Sequence, residues 1–199
     1  TVANNLEFSK YKKQIRIFGH DVKDPMYKKN FIGMHNSWNF LKSKNQNLAH
    51  KMCDFINKEN GKFNIIEIHN RPYLVDSFYL NLKNKNRLSL FLHNDPLEMK
   101  GSKTIEDRRS LLLKLDKIYC VSEFIKNRFL IGVIDHLNKV VVLHNGVIRK
   151  QKTMPKKQKQ IIYVGRVVRE KGVDLFVDAI KEIYDNFKDW NFKIIGSPK

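Results

Sequence analysis

The amino-acid sequence predicts an α/β protein built on parallel sheets. A first domain is expected over residues 1–148, a basic linker over 149–160, and the start of a second domain over 161–199. Three observations predict this. Short apolar runs of strand length alternate with stretches of helical period, the pattern of βαβ units. Most of those runs are continuous rather than alternating, as in strands covered on both faces by helices. One polar, lysine-rich stretch without apolar periodicity cuts the alternation in two.

The elements follow in order. Val2 to Tyr11 reads as the end of a helix, and Gln14 to Phe18 as a short strand closed by Gly19. Asn45 to Lys58 is helical, with Leu48, Met52, Phe55 and Ile56 on one face. Strands are expected at Phe63 to Ile68, Leu88 to Leu92, Lys117 to Val121 and Lys139 to Leu143, and a helix at Ile105 to Leu115. Ser122 has the chemistry to cap a helix over Glu123 to Phe129. After the linker a strand starts at Ile161, a helix follows with apolar positions at 173, 176, 177, 180, 183 and 187, and Asn191 to Ile195 is a strand. One such βαβ unit cannot bury its own faces, so the second domain reads as cut short.

Hydrophobic residues make up 42% of the 199, enough for a packed interior. The formal net charge of +18 has two compatible readings. One is an AT-rich coding sequence, which would enrich Lys and Asn together. The other is attraction to something anionic: a membrane face, a nucleic acid or a phosphorylated ligand. Nucleic-acid binders concentrate charge on one arm or helix, often with stacking aromatics. Here the charge is spread, with one cluster at Lys150, Lys152, Lys156, Lys157 and Lys159, so no nucleic-acid partner is expected. Two cysteines, Cys53 and Cys120, make no disulfide framework and fit a reducing, cytoplasmic compartment. Cys120 lies in an apolar run and reads as a core thiol rather than a nucleophile. No stretch reaches the ~18 apolar residues of a spanning helix, and no signal peptide is expected. The first residue is Thr rather than Met, so the natural start is expected upstream.

The densest chemistry follows the linker. A strand ends at Val164, Gly165 turns the chain, and Arg166, Arg169, Lys171 and Gly172 lead into a helix. In a parallel sheet such a loop lies at the carboxyl ends of the strands, where ligands bind. A helix N-terminus offers free N–H groups and partial positive charge. Arg forks onto phosphate oxygens and Lys adds a point charge. The combination suits a pyrophosphate, although a solvated basic turn would look the same. Neither GxxxxGK[ST] nor GxGxxG is present.

The stretch YVGRVVREKGVDLFVDAI resembles the start of the C-terminal domain of family 4 retaining glycosyltransferases, the glycosyl transferase group 1 enzymes of GT-B fold. Upstream, IIEIHNRP, LSLFLHNDPLEMKG, KIYCVSEFIKNRF and VVVLHNGV resemble the middle and last parts of the family's N-terminal domain, especially in members that build lipopolysaccharide or other surface glycans. The resemblance implies two Rossmann-like domains and places Arg166 and Lys171 on the donor diphosphate, with Arg169 outside that pair. It also implies a Gly-rich loop before Thr1 and a paired-Glu motif past Lys199, without which these residues alone would not catalyse transfer.

The other candidates keep two readings each. His93, Asn94 and Asp95 follow a strand, and His93 matches the family's cleft histidine, which contacts the donor sugar; a histidine there is otherwise structural. His69 would line the acceptor side or be incidental, and Arg71 would hold an anionic acceptor or cap a strand end. Ser122 and Glu123 are site residues or a plain N-cap with a helix-dipole charge. Asn145 sits in an Asn-Gly turn that the resemblance turns toward the cleft. Asp-x-Asp is absent and no His/Cys cluster has zinc spacing, so no metal and no cofactor beyond the donor substrate are expected.

The function implied is transfer of a hexosyl group from a nucleotide diphosphate sugar to a surface glycan or lipid-linked acceptor, retaining and metal-independent. The implied location is cytoplasmic, with peripheral attachment to an anionic membrane face as an option. The rivals are another GT-B enzyme, a nucleotide-sugar epimerase or glycogen-type synthase, and a non-catalytic basic module for membrane or nucleic acid.

Overall fold

The computed structural model describes residues 6–35, 43–59, 61–84, 86–147 and 153–198. Part of the expected N-terminal helix, and residues 148–152 of the basic linker region, lie outside the described residues. The chain divides into two units, Thr1–Ile148 and Arg149–Lys199.

Unit 1 holds a four-stranded parallel sheet of Ile65–His69 (β3), Arg87–Leu92 (β4), Lys117–Cys120 (β5) and Val140–Val142 (β6), in that spatial order. Before it come Ile17–His20 (β1) and Phe31–Met34 (β2), a separate parallel pair. The expected strand at Gln14 to Phe18 is shifted toward the C-terminus. Gly19 does not close it but pairs with Gly33 inside the sheet, where an added Cβ would meet the Phe31 ring at 3.0 Å. β2 escaped the sequence because four residues carry too little pattern to stand out.

Among the described residues of unit 1, 6–8 are helical, and the longer helices are Lys44–Lys58 (α1), Val75–Asn81 (α2), Ile105–Lys114 (α3) and Glu123–Leu130 (α4). α1 opens with a capping box: the Ser43 side chain accepts from the Gln46 N–H at 3.3 Å, and the Gln46 side chain accepts from the Ser43 N–H at 3.1 Å. α3 opens with the same device from Thr104 and Asp107. α2 was not expected, since seven residues hold under two turns and bury only Val75 and Phe78.

β4 is buried along Leu88–Leu92, where four apolar residues flank a buried Ser89. Leu90, Leu92, Ile118 and Cys120 are fully buried with Cys53, Leu112 and Phe129. Burial pushes the thiols of Cys53 and Cys120 up to about 12, so neither is a thiolate at neutral pH and the core reading of Cys120 holds.

The segment between β4 and α3 is fixed by a buried cation. Arg108 donates to the carbonyls of Ser102 at 3.1 Å, Lys103 at 2.7 Å and Ile131 at 2.6 Å. The Ser102 hydroxyl in turn donates to the Pro96 carbonyl at 2.7 Å. Burial without such partners would be costly for a guanidinium.

Unit 2 contains a parallel pair, Gln160–Val164 (β7) and Asn191–Ile195 (β8), joined through the helix Val173–Ile183 (α5). Tyr163 packs against Phe176 at 5.6 Å and Tyr184 against Phe192 at 6.4 Å between ring centroids. None of its described residues is buried.

Candidate functional site

Two groups of candidate residues emerge, one in each unit. In unit 1 they gather at the carboxyl ends of β3 and β4. Parallel register sets His69 opposite Phe91 and Phe91 opposite Tyr119. The three rings stack across the sheet, with centroids 4.6 Å apart at each step. His93, just past β4, stacks on His69 at 5.6 Å, and His69 Nδ1 lies 3.3 Å from His93 Nε2. One of these two nitrogens must carry the proton that the other accepts. Burial lowers the His93 pKa from its ordinary 6.5, and the neighbouring His69 lowers it further, so His93 is neutral at pH 7.

Asn70 joins the two strand ends. Its backbone takes the left-handed conformation (φ 55°), its N–H donates to the Phe91 carbonyl at 2.8 Å, and its side-chain oxygen accepts from the His93 N–H at 3.2 Å. Sequence reasoning gave Asn70 no role. The available signal was an Asn directly after a strand, one of the few side chains that tolerates this conformation.

Arg71 is exposed and donates to the Asn70 carbonyl at 2.9 Å. Asn94 is exposed. Asp95 is committed to structure through both oxygens: one accepts from the Leu97 N–H at 3.0 Å, the other from Arg128 Nε at 2.8 Å. Ser122 caps α4, accepting from the Ile125 N–H at 3.3 Å, and Glu123 is exposed in the first turn. Asn145 is exposed in the loop after β6. A surface pocket of about 330 Å³ lies between Asn45, Arg71, Tyr73, Asn94, Met99 and Lys100, with Asn70 and Pro72 completing its wall.

In unit 2 the basic loop follows β7. The Gly165 N–H donates to the Ile195 carbonyl and the Val167 N–H to the Ser197 carbonyl, both at 3.0 Å, so the pairing with β8 runs past the strand end. Gly196 is required there, because an added Cβ would sit 1.7 Å from the Gly165 oxygen. Gly196 was not singled out from sequence, since its need is set by a neighbour some thirty residues away. Gly165 leaves room for Tyr163, whose hydroxyl lies 3.1 Å from the carbonyl oxygens of both Arg166 and Lys171. The loop is thereby tied at the backbone of two of its three cations, Arg166 and Lys171, whose side chains are exposed. Gly172 takes φ 70° and opens α5. Arg169, the loop's other arginine, is exposed and lies 3.4 Å from Asp174.

Among the described residues no helix is long and apolar enough to cross a membrane, and no group of three or more His, Cys, Asp or Glu could hold a metal ion.

A family model described as glycosyl transferases group 1 matches residues 145–199. An uncharacterised glycosyltransferase of Methanocaldococcus jannaschii is 38% identical over 124 residues, which are 58% of this chain and 32% of that protein. Among solved structures, an S. aureus TarM mutant in complex with fondaparinux, alpha-GlcNAc-glycerol and UDP superposes with a TM-score of 0.55 at 16% identity. That match covers 78% of this chain and 32% of TarM. A second TarM structure gives 0.55 at 15% identity, over 77% of this chain and 31% of TarM. The chain thus spans about a third of the length of the relatives it matches.

Proposed function

We infer, from a chain that carries a group 1 glycosyltransferase segment over residues 145–199 on a GT-B fold, that the protein transfers a hexosyl group from a nucleotide diphosphate sugar. The acceptor is a hydroxyl of a surface glycan or of a lipid-linked glycan. The observation that carries this is the loop in which the Tyr163 hydroxyl bridges the carbonyls of Arg166 and Lys171, just before the N-terminus of α5.

When the sugar leaves, negative charge develops on the nucleoside diphosphate. Arg166 and Lys171 meet that charge from a loop already held in place, so little reorganisation is needed as the bond breaks. The N-terminus of α5 adds its unsatisfied N–H groups and dipole. Two protein cations do here what a divalent ion does elsewhere, so the reaction is metal-independent and needs no cofactor beyond the donor. UDP in the TarM complex supports a nucleoside diphosphate as the product. Neutral His93, fixed by Asn70 and stacked on His69, is suited to contact the donor sugar by hydrogen bonding. Retention of anomeric configuration follows from the family reading.

The test uses the protein at the full length of its relatives and follows nucleotide release. Arg166→Ala or Lys171→Ala should each raise the barrier by roughly 3 kcal/mol. Unchanged turnover in both would overturn the assignment, and loss of turnover in EDTA would overturn metal independence. A product formed only with acceptor present separates a transferase from an epimerase. The basic chain also suits a cytoplasmic enzyme docked on anionic lipid, which co-sedimentation with vesicles of varied anionic content checks.

A further inference from the structure

The pocket of unit 1 has a one-sided lining. Among the described residues its lining includes two cations, Arg71 and Lys100, three asparagines, Asn45, Asn70 and Asn94, and Tyr73. No carboxylate among the described residues lines it. Arg71 and Lys100 form no ion pair with any described residue; Arg71 donates to the Asn70 carbonyl at 2.9 Å and Lys100 Nζ lies 5.7 Å from the centre of the Tyr73 ring. The Asn45 amide donates to the Tyr73 hydroxyl at 2.7 Å, which leaves the Tyr73 O–H proton free to donate into the pocket.

The fold holds this arrangement in place. Gly101 takes φ 84°, and a Cβ there would lie 2.7 Å from both the Cα and the N of Tyr73. Only glycine lets the turn carrying Lys100 come that close to the segment carrying Arg71. The turn is then fixed by the bonds from Ser102 to the Pro96 carbonyl and from buried Arg108 to the Ser102 carbonyl.

We propose that this pocket binds a phosphate ester, and that the acceptor of the transfer is therefore an anionic one. Arg71 and Lys100 supply the charge, and Tyr73 and Asn94 the neutral donors. The binding site itself stands on the pocket alone; its assignment to the acceptor rests on the transferase reading. The phosphate ester has two sources, a soluble glycan phosphate or the headgroup of an anionic lipid.

The experiment uses the full-length protein, with backbone amide shifts assigned in both units. Glycerol 3-phosphate is titrated against glycerol as the neutral control, and UDP is titrated separately. Glycerol 3-phosphate should shift the amides of Tyr73, Asn94 and Gly101, and glycerol should not. Arg71→Ala and Lys100→Ala, both at exposed positions, should each weaken that binding roughly tenfold. Vesicles of phosphatidylglycerol that bind through the same two residues, where glycerol 3-phosphate shifts none of these amides, would support the proposal with lipid as the source. Shifts confined to unit 2, or binding unaffected by either variant, would overturn the pocket and leave the transferase reading standing. Shifts in the pocket with no response of unit 2 to UDP would uphold the pocket as a phosphate site and overturn the transferase reading.

Discussion

The two units are built from the same βαβ grammar and differ in how far they bury it. Unit 1 encloses Leu90, Leu92, Ile118 and Phe129 completely, while unit 2 leaves Val164 74% and Leu175 72% exposed. Four parallel strands with helices from successive crossovers can bury both sheet faces; two strands and one helix cannot. The candidate residues follow this difference. In unit 1 they stand on a packed core, and in unit 2 they are held by close backbone contacts and one tyrosine hydroxyl. Rigidity in unit 1 comes from burial, and in unit 2 from local hydrogen bonds.

The sharpest way to break that contrast is a pair of truncations. Leu90→Ala, at a fully buried position, should cost about 2–5 kcal/mol in denaturant unfolding. In the chain of 199 residues, Val164→Ala should stay within about 0.5 kcal/mol. Equal costs would mean that unit 2 is as buried in solution as unit 1. Gly196→Ala comes next, because its Cβ cannot coexist with the Gly165 oxygen. It should accelerate hydrogen exchange in β7 and β8 and leave β4 and β5 unchanged; faster exchange throughout would show that the units unfold together. Tyr163→Phe removes one hydroxyl shared by two carbonyls, a loss of about 1 kcal/mol. Its main readout is weaker nucleotide binding, and unchanged affinity would mean that the loop is ordered without it.

The smallest effect concerns pH. The folded His93 pKa lies below the unfolded 6.5, so its contribution to stability is complete above that value and is lost as pH falls toward the folded pKa. His69→Asn should move the His93 titration, followed by ring NMR signals, back toward 6.5. An unmoved titration would assign the whole shift to burial.

Much of this was legible in the sequence where pattern is local. The apolar-rich run Leu88 to Leu92 announced a strand, and Asn191 to Ile195 was placed residue for residue. Ser122 was recognisable as a cap because capping chemistry is carried by one side chain and the next turn. β2 and α2 were not legible, since four and seven residues hold too little periodicity. At the sites, His93 was marked by its place after a strand, but its stacking on His69 depends on the register of β3 with β4. Asp95 was marked in the same way, and nothing in the sequence signals that its oxygens accept from the Leu97 N–H and Arg128 Nε.

By itself the sequence determined the α/β class, the order of the longer strands and helices, and the glycine-flanked basic loop of Arg166 and Lys171, because each is written in residues close along the chain. Tertiary structure alone decided which side chains meet. Lys100 comes beside Arg71 only because Gly101 admits the Tyr73 backbone, and Gly196 is needed only because Gly165 lies against it. Contacts between distant residues depend on strand register and on excluded volume, and neither leaves a local trace in the sequence.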